Sequence, residues 1–383
     1  MNIASKSLMK SSLTAFFAGI SCLAVAPVVR AQSNVTLYGV IDASVRYTSN
    51  VKGANGVGDT YAMTSGGIQG SRWGIKGVED LGDGTKAMFT LESGFVPSDG
   101  TFDQQGQLFG RQAWVGLANP TWGRLLFGRI YGIPFGLLSD FDALGIGNYI
   151  ENAYLPRIIG VRYDNTVDYS ISRGAFTVEL QHGFGNQAGS TAVGSTNAIG
   201  LTFNQAGLEI GVLAHQSRDV ASRKLTIIGG GAKYDFGPAT VYAMYLNARR
   251  DAGFSPGSSV GQPLANTSLL ANTNTVLGSG TQTAARVDAY VSLGMTYRFS
   301  PAWTLSAGAM MDNVRNLNGG DSGKIRTTYA LVDYALSKRT DVYATVDRNW
   351  LSGGSVTDPN SPIFTFGGRS TRTGAGLGMR HRF

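Results

Sequence analysis

From Asn34 onward the chain alternates with a period of two. Val35, Leu37, Gly39, Ile41, Ala43, Val45 and Tyr47 fall on one face, and Thr36, Tyr38, Val40, Asp42, Ser44 and Arg46 on the other. A β-strand sends successive side chains to opposite faces, so this is a strand with one apolar and one polar side. It runs about 13 residues, where strands of globular proteins usually run about 5 or 6. The texture returns at 161–171, where Val161, Tyr163, Val167, Tyr169 and Ile171 oppose Arg162, Asp164, Thr166, Asp168 and Ser170. It returns again at the C-terminus, where Ala375, Leu377, Met379 and Phe383 alternate with Gly374, Gly376, Gly378, Arg380 and Arg382. No segment after Ala31 shows a long helical period with caps.

Turn residues cut the chain into long strands joined alternately by short and long connections. Short turns are expected at 79–84, 119–123, 172–174, 204–206, 236–238, 300–302 and 337–339. Long loops are expected at 49–59, 96–106, 132–156, 185–196, 216–224, 250–285, 314–325 and 351–370. These connections join sixteen strands, with about 22 residues for each strand and its connection, and a tilted strand of about 10 crosses a bilayer. An even number of long alternating strands, with short turns at one end and long loops at the other, specifies a transmembrane antiparallel β-barrel. Closure is obligatory, because lipid offers no partner to an unpaired strand edge. A wall of sixteen strands leaves a lumen that water can fill. A secreted β-sandwich or solenoid would show shorter strands and no asymmetry of loops. Composition agrees with the barrel: charged residues are 15% of the chain, against about 25% in soluble domains. The uncharged stretch 252–285, rich in Ser, Thr, Asn and Gly, reads as a surface loop and not as an interdomain linker.

The first 31 residues read as an export signal. Lys6 and Lys10 give a basic start, 13–26 is apolar, and Val29-Arg30-Ala31 has the small residues of a cleavage site. Pro27 and Arg30 interrupt the apolar run, which argues against a permanent membrane anchor. Cleavage leaves one domain, 32–383. It also removes Cys22, the sole cysteine, so disulfides and thiolate chemistry are excluded from the exported chain. Lys6, Lys10 and Arg30 leave with it, so the formal charge of +7 falls by three. With no basic run remaining, nucleic acid is not an expected partner.

The residues also resemble a family. Val35-Thr36-Leu37-Tyr38-Gly39-Val40-Ile41-Asp42 resembles the first strand of Gram-negative general porins, and Ser71-Arg72-Trp73-Gly74 through Gly84 resembles their second strand and first turn. Arg111 to Leu117, Phe127-Gly128-Arg129, Tyr334 to Thr340 and the terminal Gly378 to Phe383 continue the likeness in order. The resemblance implies a homotrimer of 16-stranded barrels in the outer membrane, bedded in its lipid and passing ions and small hydrophilic solutes. It implies short periplasmic turns, long extracellular loops and a third loop folded into the lumen.

Position by position, the family's constriction arginines carry over to Arg72, Arg111 and Arg157, the last expected at the start of strand six. Arg46 and Arg162 sit at lumen parity and extend the set. Opposite them the third loop offers Asp140, Asp142 and Glu151, although it carries Leu137, Leu138, Leu144, Ile146 and Ile150 where relatives cluster acids. Charged side chains at the narrowest point set the selectivity of a wide pore. Three arginines against two or three acids lead to an expectation of modest anion preference. Lumen-facing Arg111 would force Gln112 onto the outer wall, where a subunit contact could receive it. Phe383 is expected to serve both as an interfacial aromatic and, by family likeness, as the signal read by the barrel-assembly machinery.

Other chemistry finds no support. His182, His215 and His381 lack ligand spacing, so neither a metal nor another cofactor is expected. Gly229-Gly230-Gly231 precedes no helix that could hold a phosphate. The chain therefore reads as a channel and not as an enzyme. Two other barrel functions remain compatible with the same wall: a channel with a saturable lumen site for one solute, and an adhesin or receptor working through 250–285.

Overall fold

A computed structural model describes residues 34–147, 155–255, 283–317, 320–363 and 365–383. The export signal, Glu151 and most of 250–285 lie outside them. The described wall begins with β1 (Asn34–Gly53), β2 (Gly56–Ser65), β3 (Arg72–Gly82), β4 (Thr85–Gly94), β5 (Gln112–Asn119) and β6 (Gly123–Tyr131). After helices α1 (Ile133–Ser139) and α2 (Leu155–Ile159) come β7 (Arg162–Arg173), β8 (Phe176–Gly183), β9 (Thr196–Gln205), β10 (Leu208–Arg218) and β11 (Lys224–Asp235). The wall finishes with β12 (Ala239–Arg250), β13 (Arg286–Arg298), β14 (Trp303–Arg315), β15 (Ser322–Ala335), β16 (Thr340–Gly353) and β17 (Thr371–Arg382).

All pairings are antiparallel between neighbours, and β17 returns to β1 through the register Val40↔Arg382 to Thr48↔Gly374. The sheet is thus a closed barrel. Its seventeen segments form sixteen wall strands, because β2 and β3 lie in line along the same side of β1. Ala43 to Gly53 pairs with β2, Asn34 to Val40 pairs with β3, and residues 66–71 leave the wall between them. In the sequence only Gly66, Gly67 and Gly70 mark that break. The long loop expected at 49–59 is also corrected. Here β1 and β2 form a hairpin turned by Ala54 and Asn55 alone, so the strand pair continues past the body of the barrel.

The seven short turns fall where the sequence placed them, at one end of the barrel. The outer face of β1 shows Val35, Leu37, Ile41 and Val45, with Val45 58% exposed, as alternation requires of a wall in lipid. At the seam, Gly39 and Phe383 exchange both backbone hydrogen bonds at 3.1 Å. The Phe383 ring lies where a Cβ on Gly39 would stand, so glycine is needed there. One alternating strand is locally modified. A bulge with Asn165 at φ +53° shifts the β6–β7 register, and both Arg162 and Tyr163 end up buried on the inside.

The connection between β6 and β7 runs through the lumen. Its apolar residues, which the sequence carries where acids were expected, are its anchor. Ile133, Leu138, Phe141, Leu155, Ile158 and Ile159 are each at most 2% exposed, packed with lumen-facing Leu213, Ile227, Leu246, Tyr290 and Ile325. At roughly 1.5–3 kcal/mol for each buried side chain, the gain is on the order of 10 kcal/mol, enough to displace lumen water. The seat for this loop is a row of inward glycines. A Cβ at Gly211 would stand 2.7 Å from the Phe141 ring, and one at Gly231 would stand 2.5 Å from it. At the far end of the loop, fully buried Arg250 donates to the Ile158 carbonyl (3.0 Å) and pairs with Asp288. Arg286 joins Asp288 (3.0 Å) to Asp358 (2.8 Å) in the loop after β16.

Replacing Phe141 with alanine should cost the loop's docking about 3–5 kcal/mol, the usual penalty for an emptied aromatic site. The expected outcome is faster proteolytic cleavage within 132–161 in a barrel that still migrates as folded on unheated gels.

Candidate functional site

With the loop seated against β9 to β15, the open part of the lumen lies between the loop and the wall from β2 to β7. A recess of about 630 Å³ marks it. On its wall side stand Arg72, Glu92, Asp103, Gln104, Arg111, Gln112, Tyr131 and Arg162; on its loop side stand Phe135, Gly136, Ser139, Gly145 and Ile146.

The wall side is one connected cluster. Glu92 of β4 accepts from the Arg111 Nε at 2.8 Å and from the Tyr38 hydroxyl at 3.0 Å, and Arg72 of β3 lies 3.7 Å away. The Tyr131 hydroxyl accepts from Arg111 at 2.9 Å and from Arg162 at 3.1 Å. The Arg162 guanidinium also stacks over the Tyr131 ring, 4.7 Å from its centre, and that ring stacks on Phe135 of α1. Charge-assisted hydrogen bonds of this kind fix direction as well as charge, so the guanidinium planes are held in place. Arg129 stands behind the cluster, bonded to the Gly110 carbonyl (2.7 Å) and paired with Asp164.

Arg72, Arg111 and Arg162 are therefore brought together, as expected from the sequence. Arg46 is not with them. It lies higher on the β1 wall, paired with Asp347 of β16. Arg157 sits in α2 and not at the start of a strand, and it does not line the recess. Gln112 is corrected: it lies on the lumen side. Arg111 reaches the same cluster because it precedes β5, where the chain bends and the strand's alternation has not begun.

The acidic side differs most from expectation. Asp140 is exposed but does not line the recess, and its charged neighbours are Lys233, Glu209 and Glu179 on the wall from β8 to β11. Asp142 is 6% exposed and accepts from the backbone N–H groups of Leu144 (3.1 Å) and Ile146 (2.8 Å), capping its own turn. Glu151 lies outside the described residues. The acids that do meet the arginines are Glu92 and Asp103, both on the wall side. Sequence reasoning missed Glu92 and Tyr131, since their roles depend on which strands stand side by side.

The segment 66–71 closes the eyelet from another direction. The Asp42 carboxylate, fully buried, accepts the backbone N–H groups of Gly67 (3.2 Å), Ile68 (3.2 Å) and Gln69 (2.8 Å) and the hydroxyl of Tyr343. Successive N–H groups converging on one carboxylate hold the chain in an inward curve. Ile68 packs with Leu331 and Tyr343, and Leu144 of the lumen loop packs against the same cluster. Loop and strand break thus meet across the lumen, and Gly66, Ile68, Gln69 and Gly70 line the recess beside Arg72.

With this geometry in place, likeness to known proteins becomes informative. The family profile described as Gram-negative porin matches residues 17–353. An outer membrane porin protein of Bordetella pertussis is 32% identical over 99% of this chain and 100% of its own length. Among solved structures, the anion-selective porin from Comamonas acidovorans superposes with a TM-score of 0.71 at 20% identity, covering 92% of this chain and 100% of that one. The trimer form of an outer membrane protein of Vibrio cholerae, OmpT, superposes with a TM-score of 0.60 at 15% identity, covering 92% and 99%.

Two outcomes follow for the loop and the break. Asp42→Asn replaces an acceptor of three N–H groups by a group that is half donor, and charge-assisted bonds are worth about 1.5–3 kcal/mol each. Single-channel recording should then show a larger, noisier conductance as 66–71 loosens. Burial pushes the Asp142 carboxyl up to about 6, while the N–H groups it caps hold it down. A docked loop therefore binds this proton more tightly than an undocked one. Docking is strongest below the ordinary carboxylate range and weakens as the pH rises through about 6. Protease protection of 132–161 should be greater at acidic than at neutral pH, and Asp142→Asn should flatten that dependence.

Proposed function

The chain belongs to the family of Gram-negative porins, and from that membership we propose that it is a general diffusion channel with a modest preference for anions. The channel itself stands on family and fold: a water-filled β-barrel in the outer membrane, not an enzyme. The preference is our reading. The observation that carries it is the charge lining the recess, where three guanidinium groups meet two carboxylates and the facing loop residues bear no charge. A narrow passage walled on one side by low-dielectric loop focuses the field of that excess positive charge. The anion selectivity named for the Comamonas relative of the same fold supports the reading.

Specific roles follow. Arg72, the most exposed of the three, is the principal anion contact, and nearly buried Arg111 and Arg162, aligned by the Tyr131 hydroxyl, present an edge beside it. Glu92 orients Arg111 and moderates the preference. Arg46 lies further along the wall, on the path of entry. Asp140 and Asp142 act on the loop's placement and not as an opposing acidic rail. Arg157 and Glu151 are assigned no contact with the passing ion. Cleavage after Ala31, assembly as a homotrimer and recognition of Phe383 by the assembly machinery complete the proposal. The trimer form of the Vibrio relative supports the second of these.

The test is the reversal potential across a KCl gradient with purified protein in a planar bilayer. Chloride should be preferred over potassium. Arg111→Gln should lower the chloride-to-potassium ratio about twofold or more, and Glu92→Gln should raise it. A cation preference in the wild-type channel would overturn the reading.

A further inference from the structure

Gln181 of β8 is buried, and it does not line the recess. Its amide nevertheless meets the backbone on both sides of one glycine. The Nε2 donates to the Tyr131 carbonyl at 2.9 Å, where β6 ends, and the Oε1 accepts from the Ile133 N–H at 3.3 Å, where α1 begins. Between them lies Gly132, whose own N–H is taken by the Val161 carbonyl at 2.9 Å. The first N–H groups of a helix have no partner within it, and a side chain just before the helix usually supplies one. Gly132 has no side chain to offer. A larger residue is barred there, because a Cβ at 132 would run into the Tyr163 ring. The cap comes instead from across the wall, from Gln181. Glycine also constrains the chain least, so nothing local fixes the direction in which Tyr131 leaves its strand.

An amide can turn end for end, and here the turned form would set carbonyl against carbonyl and N–H against N–H. Asp168 prevents this. It is the cross-strand partner of Gln181 on β7, fully buried, and its Oδ2 accepts from the same Nε2 at 3.2 Å. A carboxylate only accepts, so the Nε2 is turned toward it and toward the Tyr131 carbonyl. The Oδ1 of Asp168 lies 3.8 Å from Arg124 of β6. What is held in this way acts at the recess. The Tyr131 hydroxyl accepts from Arg111 and Arg162, and its ring carries the Arg162 guanidinium and stacks on Phe135. A side chain that aims others must itself be locked by its surroundings.

We propose that Gln181, oriented by Asp168, is a positioning residue for ion selectivity. It clamps the backbone on both sides of Gly132 and so directs the Tyr131 ring and hydroxyl, and with them the guanidinium groups of Arg111 and Arg162. The role rests on the reading of the recess as the selective passage.

The test is a cycle of reversal potentials across a KCl gradient, with whole purified channel in a planar bilayer. Gln181→Met, similar in size and unable to make these bonds, should lower the chloride-to-potassium ratio about 1.5-fold. In the Tyr131→Ala background, which leaves no ring or hydroxyl to aim, the same change should lower it no further. Cleavage within 132–161 should stay as slow as in the wild type, since the apolar anchor of the loop is untouched. Asp168→Asn, which frees the amide to turn, should lower the ratio with the same dependence on Tyr131, and it serves where Gln181→Met does not fold. An unchanged ratio, an equal fall in both backgrounds, or a fall accompanied by cleavage as fast as in Phe141→Ala overturns the proposal. A cation preference in the wild-type channel overturns the anion reading alone, because the cycle still reports whether Gln181 acts through Tyr131.

Discussion

The shape of the passage depends on one act of burial, the packing of the lumen loop's apolar face onto the inside of the barrel. A β-barrel of this width holds water, and a loop of ordinary polar composition would have no reason to lie across it. This loop has Leu138, Phe141, Leu155, Ile158 and Ile159, and the wall answers with Leu213, Ile227, Leu246 and Tyr290 on inward positions that alternation would otherwise give to polar groups. The glycines at 211 and 231 let the Phe141 ring approach the backbone itself. At the level of the loop the interior is thereby divided: from β9 to β15 it is a dry core, and from β2 to β7 it is a wet passage.

That division decides where charge is affordable and what it does. In the dry part, Arg250, Arg286, Asp288 and Asp358 are fully or almost fully buried, and they are tolerable because they meet one another and the Ile158 carbonyl. They fasten the loop to its surroundings. In the wet part, Arg72, Arg111 and Arg162 keep an edge on the passage while Glu92 and Tyr131 fix their directions. The same residue type is a rivet in one half and a lining in the other.

The wall was legible in the sequence because lipid and water impose a period of two, and turns must break it. All seven short turns and the gathering of Arg72, Arg111 and Arg162 came from that logic and from family likeness. What was not legible depends on contacts between distant segments. The break at 66–71 is held by Asp42, which on its own strand looks like any polar inward residue. Glu92 carries no local mark that would pair it with Arg111, since their partnership depends on β4 and β5 standing side by side. Asp142 looked like a pore acid by loop membership, yet its carboxylate is spent on the turn that follows it. Gln112 faces the lumen beside Glu92 because β5 begins there, so alternation counted from Arg111 starts one residue too early.

The seam between β1 and β17 joins segments separated by nearly the whole chain, with Phe383 bonded to Gly39 and Arg382 opposite Val40. Folding with such a non-local closing contact is slow, since most of the loop-closure entropy is lost before that contact forms. A chain still being made or threaded cannot close until β17 and Phe383 are present, because both are part of the joint. Until then the first strand's apolar face and hydrogen-bonding edge stand open to other chains. The chain therefore has to be kept from aggregating throughout transit, and its folding is in effect timed by the arrival of β17.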